Sequence, residues 1–134
     1  MTPDAGALLY VCSQFPGSHV CDGPVSEMML WLSREHSAYQ ARHRRQGHQR
    51  FGQRYATLVE EYGTGWTFAE IAAESWPWQR NESLNSLAWE MYKCWRQSAG
   101  HWSVASVIHD LWGGAMKMGN SGIWYTTIIV GDKR

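Results

Sequence analysis

The chain has 134 residues, about one domain's worth, which argues against two independent cores. Lys+Arg 12 against Asp+Glu 12 leaves no net charge, which speaks against a generally basic nucleic-acid binder and against an acidic-tail protein. Nine tryptophans exclude bulk disorder, and no apolar run approaches the roughly 18 residues of a membrane span.

Residues 1–24 are predicted to be an irregular segment before a domain of residues 25–134. Residues 8–13 suit a short strand, and Pro16-Gly17 and Gly23-Pro24 read as turns. The start does not read as a Sec signal. Asp4 precedes the short apolar stretch 5–12, and the first positive charge is Arg34. The expectation is a mature form, or exit by another route such as release with a virus particle on lysis. Ser26 is placed to cap a helix carrying Val25, Met28, Met29, Leu32, His36 and Tyr39 at helical spacing, ending near Gly47. A second helix is predicted over 51–62, stopped by Gly63 and Gly65. Thr67 caps a short helical turn over 68–74, and Pro77 prevents its continuation. Ser83 opens a third helix with Leu84, Leu87, Met91 and Trp95 on one stripe. Gly100 breaks it, and 101–108 adds a short helical segment.

The last quarter changes period. Residues 111–118 and 122–130 read as strands joined by Gly119-Asn120-Ser121, a hairpin signal. The run 123–130 is hydrophobic on both faces, which predicts a central strand covered on both sides. The fold class is therefore α+β, with helices packed on a small antiparallel sheet that ends in a hairpin. Of three cysteines, Cys12 and Cys21 flank a turn-rich stretch and are open to pairing, while Cys94 reads as a buried small hydrophobe in a helix. No Cys-x-x-Cys pair is present, which argues against a zinc knuckle.

Four segments, in order, resemble the CAP superfamily (SCP domain), which includes the cysteine-rich secretory, antigen 5 and pathogenesis-related 1 proteins. The first is Glu35-His36-Ser37-Ala38-Tyr39-Gln40-Ala41 with Gly47-His48, similar to the family's helix and loop histidine. The second is Ile71-Ala72-Ala73-Glu74-Ser75-Trp76, set against its Gly-Glu-Asn element. The third is Trp95-Arg96-Gln97-Ser98-Ala99-Gly100-His101, like the bacterial Trp-x-x-Ser-x-Gly-His element. The fourth is the hairpin from Gly113-Gly114 to Trp124-Tyr125. Ala73 and Ser75 depart from the family's Gly and Asn. Ser98 stands where many members have a second glutamate, and the Asn-x-x-Arg segment is not evident before residue 25. The resemblance is thus to a short bacterial- or phage-type member, and it implies an α-β-α sandwich.

The resemblance also implies that His48, Glu74 and His101 converge in one cleft. Such a set suits a divalent metal such as zinc with an open fourth position, and a metal-bound water would then make a hydrolase. The alternative, ranked first, is that the three hydrogen-bond one another and stabilise the cleft. Ser98 and His101 invite a nucleophile–base reading, but a helix cap at Ser98 ranks above it. Glu90 reads as a solvated helix residue rather than a replacement carboxylate.

Arg42, Arg44, Arg45, Arg50 and Arg54 crowd residues 41–54. They suit an anionic partner, with Arg44 and Arg45 as candidate contacts, though a charged helix end is the preferred reading. The resemblance places Trp76 and Trp78 beside the cleft, and Trp102 adjoins His101. These rings could stack on a sugar, meet a partner, or close the core. The functional expectation is a non-catalytic binding module, extracellular or a virion surface or tail component, with a protein partner or a second copy. The alternatives are a metal-dependent hydrolase and an extracellular carbohydrate or lipid binder. Nucleic acid is disfavoured.

Overall fold

The computed structural model describes residues 1–75 and 83–134. Its centre is an antiparallel sheet of β1 (Trp66–Glu74), β2 (Leu111–Met118) and β3 (Trp124–Lys133) in the order β1-β3-β2. β3 is central, as its two hydrophobic faces predict. Ile128 and Val130 point into the larger core with Leu8, Met91, Trp95 and Trp112. Ile129 points the other way, towards Met29, Leu58 and Phe68. One face therefore carries α2 (Glu27–His43) and α3 (Phe51–Tyr62). The other carries α1 (Pro3–Gln14), α4 (Leu84–Arg96) and α5 (Ala99–Ala105). The α+β class holds, with helices on both faces of the sheet.

Two stretches differ from expectation. Residues 3–14 are helical rather than irregular with a strand at 8–13. Pro3 suits a first helical turn, and Asp4 follows where a negative charge meets the positive end of the helix dipole. Ala5, Leu8 and Cys12, with Ala7 and Val11, are buried at spacings of three and four. Asp4 also accepts from the Met116 N–H at 2.8 Å, which ties the start of α1 to the outer edge of β2.

Residues 68–74 lie in a strand rather than a helical turn. Thr67-Phe68-Ala69-Glu70-Ile71-Ala72-Ala73-Glu74 contains good helix formers. Pairing with β3 along its whole length, from Trp66 opposite Lys133 to Glu74 opposite Tyr125, overrides that preference.

The predicted caps hold at two sites. Ser26 Oγ accepts from the Met29 N–H at 3.1 Å, and Ser83 Oγ from the Ser86 N–H at 3.1 Å. α2 ends at His43 rather than near Gly47, because Arg44 adopts the left-handed conformation at φ 52°.

α2 lies close over the sheet. A Cβ on Gly113 would stand 2.3 Å from the Leu30 nitrogen, so the helix could not approach a larger residue there. A polar seam fixes its rotation. Ser33 Oγ donates to Gly113 O at 3.0 Å, and Gln40 Nε2 to Thr127 Oγ1 at 2.9 Å. This seam sets His36 over β1.

Cys12 and Cys21 are both buried, free thiols. The Cys21 N–H donates to Cys12 Sγ at 3.3 Å. Hydrogen bonding from the Cys21 thiol pulls the Cys12 thiol down to about 7. Cys94 is exposed rather than buried, because it lies off the Leu87–Met91–Trp95 stripe of α4.

Candidate functional site

Alternate residues of β1 face α2 and α3, and Glu70 is one of them. Its side chain is 1% exposed. Burying a carboxylate costs several kcal/mol unless it is paired and hydrogen-bonded. Arg54 of α3 supplies that pairing. Its Nε lies 2.9 Å from Glu70 Oε2, and its Nη2 lies 2.8 and 2.7 Å from the two carboxylate oxygens. Arg54 Nη1 then donates to Gln49 O at 2.7 Å.

Two histidines complete the cluster. His36 Nε2 is 3.3 Å from Glu70 Oε1 and 2.7 Å from Gly47 O. The carbonyl contact requires Nε2 to donate. Burial pushes the His36 pKa down, outweighing the contact with Gly47 and the attraction of Glu70, so the ring is neutral near pH 7. His48 Nδ1 stands 3.5 Å from Glu70 Oε1, with its side chain 47% exposed.

The cluster overlaps the predicted set at one residue. His48 is in it. His101 lies on α5, and its pKa is lowered first by burial and then by His48. The carboxylate is Glu70, not Glu74. Glu74 lies four residues further along the same face, at the exposed end of β1 opposite Tyr125.

His48, Glu74 and His101 therefore do not form a ligand set. Among the described residues no group of three or more His, Cys, Asp and Glu is placed to hold a metal ion. The donors do not fit zinc, since Glu70 is already clamped by a guanidinium and His36 Nε2 is turned to a carbonyl.

The other predicted residues scatter. Ser98 sits at the N-cap of α5, but its side chain makes no cap hydrogen bond. Trp102 packs edge-on against Phe15 and under the Arg96 guanidinium, which makes it part of the core's margin. Arg44 and Arg45 are exposed beyond the end of α2, around a hollow with Tyr39 and His43. Glu90 pairs with Lys93 at 3.5 Å on the surface of α4. Trp76 and Trp78 lie outside the described residues.

His36, Arg54 and Glu70 escaped sequence reasoning as a cluster. Their one signal was a histidine at a core position of an amphipathic helix.

Above Arg54 and His36, α2 and α3 open into a cavity of about 270 Å³. Trp31, Tyr39 and Arg42 line it from α2, and Gln49, Arg50 and Gln53 line it from the opposite wall.

No family model matches the chain, and no curated protein matches it. A solved structure does: an outer surface protein from Borrelia burgdorferi, at 16% identity, with a TM-score of 0.63 over 97% of this chain and 90% of that one. The two chains share a fold. The arrangement of helices on a three-stranded sheet is thus one already seen by experiment.

Proposed function

We propose that the chain is a non-catalytic binding module of the CAP type that works outside the cell or on a virion surface. The observation that carries this reading is the saturation of Glu70. A carboxylate acting as general base needs a free lone pair within reach of a substrate proton. Arg54 holds both Glu70 oxygens, and His36 and His48 stand 3.3 and 3.5 Å from Oε1. The cluster is built as a clamp between β1, α2 and α3.

Two further points support the reading. The ordered CAP-like segments point to a scaffold used for recognition, and the structural neighbour carries an outer-surface name. Among the described residues no helix is long and apolar enough to cross a membrane.

Glu70→Gln tests the proposal. The change leaves Arg54 buried without its counter-charge, so unfolding free energy should fall by about 3 kcal/mol. A Glu70→Gln chain of unchanged stability that has lost a metal-stimulated hydrolytic activity would overturn the reading.

A further inference from the structure

The groove between α2 and α3 lies beside the Glu70 clamp and has features that the fold does not use. Trp31 is 50% exposed on α2. Glu35, Tyr39 and Arg42 follow it on the same helical face, so this wall runs about 16 Å. Across from it, the Arg50 guanidinium carbon lies 4.9 Å from the centre of the Tyr39 ring, and that of Arg42 lies 5.9 Å away. Among the described residues neither arginine has a carboxylate within ion-pair distance. Gln49 Oε1, on the same wall, is buried without a donor. Arg50 holds φ at 60°, a left-handed backbone state that disfavours a non-glycine residue.

We propose that this groove binds an acidic saccharide, with a sugar ring against the Trp31 indole and its anionic group between Arg42 and Arg50. The inference rests on the binding-module reading and names its ligand.

A pyranose has an apolar C–H face and a rim of hydroxyls. The face suits an exposed indole, and hydroxyl donors suit the Glu35 carboxylate. A guanidinium fork takes a carboxylate, sulfate or phosphate in paired hydrogen bonds. A neutral sugar would leave both arginines idle. A bare inorganic anion would leave Trp31 and Glu35 idle. The volume falls just below the usual range of ligand pockets, which suits a ligand of one or two rings.

Calorimetric titration of the whole chain with digalacturonate, maltose and sodium sulfate tests this. Digalacturonate should bind saturably, maltose should not, and sulfate should bind at least about tenfold more weakly. Arg50→Gly and Trp31→Ala should each weaken digalacturonate by about tenfold or more, with thermal stability kept. Arg50→Gly is the sharper variant, because glycine relieves the left-handed backbone while removing the cation. Absence of digalacturonate binding, equal binding of maltose or sulfate, or full binding by both variants would overturn the proposal. If digalacturonate fails while Glu70→Gln still costs only stability, the saccharide is refuted and the module reading stands. If Glu70→Gln instead abolishes catalysis, both fall.

Discussion

Arg50 and Arg54 stand four residues apart at the start of α3 and meet opposite environments. Arg54 is 7% exposed, and its guanidinium is used up by Glu70 and the Gln49 carbonyl. Arg50 is exposed, sits in the left-handed region and faces an aromatic ring rather than a carboxylate. The floor of the groove is thus a closed circuit of paired charges, and its rim carries two arginines that, among the described residues, have no carboxylate partner. Two arginines from one crowded run do different jobs, and burial with complete partnering is what separates them.

The largest expected effect lies in the floor. Arg54→Gln should cost about 3 kcal/mol of stability, because it strands a buried carboxylate. In a double-mutant cycle with Glu70→Gln the two losses should overlap, so that the pair costs less than the sum. Strictly additive losses in urea unfolding would break the clamp picture.

An effect of intermediate size comes from pH. Burial lowers the His36 pKa, and burial together with His48 lowers that of His101. Below the ordinary histidine range the unfolded chain takes up protons that the folded chain resists. Stability is therefore fully present above that range and declines as pH falls through it. Urea midpoints measured from about pH 7.5 down to about pH 5 should fall, and His36→Asn should flatten the slope. A midpoint that rises on acidification would contradict a neutral His36.

The smallest effect belongs to the rim. Trp31→Gln should change unfolding free energy by no more than about 0.5 kcal/mol, as surface substitutions do. A loss of several kcal/mol would mean that Trp31 is part of the core rather than of a recognition surface.

Much of this layout was legible in the sequence, and what was missed has a physical cause. α3, α4 and the hairpin strands announce themselves through caps, glycine stops and a change of period. α1 hid because residues 8–12 form an unbroken apolar run without a helical alternation, so 8–13 passed for a strand. β1 hid because alanine and glutamate favour helix, and only the distant β3 makes them a strand. Glu74 is singled out by the likeness of Ala73-Glu74-Ser75 to the family's Gly-Glu-Asn element, and no spacing points to Glu70 instead. Residues i and i+4 share a face on a helix and on a strand alike, so no periodicity selects between them. The saturation of Glu70 depends on Arg54, 16 residues away in sequence, and no local spacing encodes it.

The tryptophans divide by the same criterion. Trp95 and Trp112 are fully buried, and the Trp95 indole N–H donates to Ala72 O at 3.1 Å. Trp31 and Trp89 remain 50% and 38% exposed, so they stand at the surface of α2 and α4.

The division between floor and rim is tested most directly by unfolding the Arg54→Gln and Arg50→Gly chains in urea side by side. The expected result is a midpoint well below the parent for Arg54→Gln and a midpoint equal to or above it for Arg50→Gly. Equal losses from the two substitutions, or a larger loss from Arg50→Gly, would contradict it.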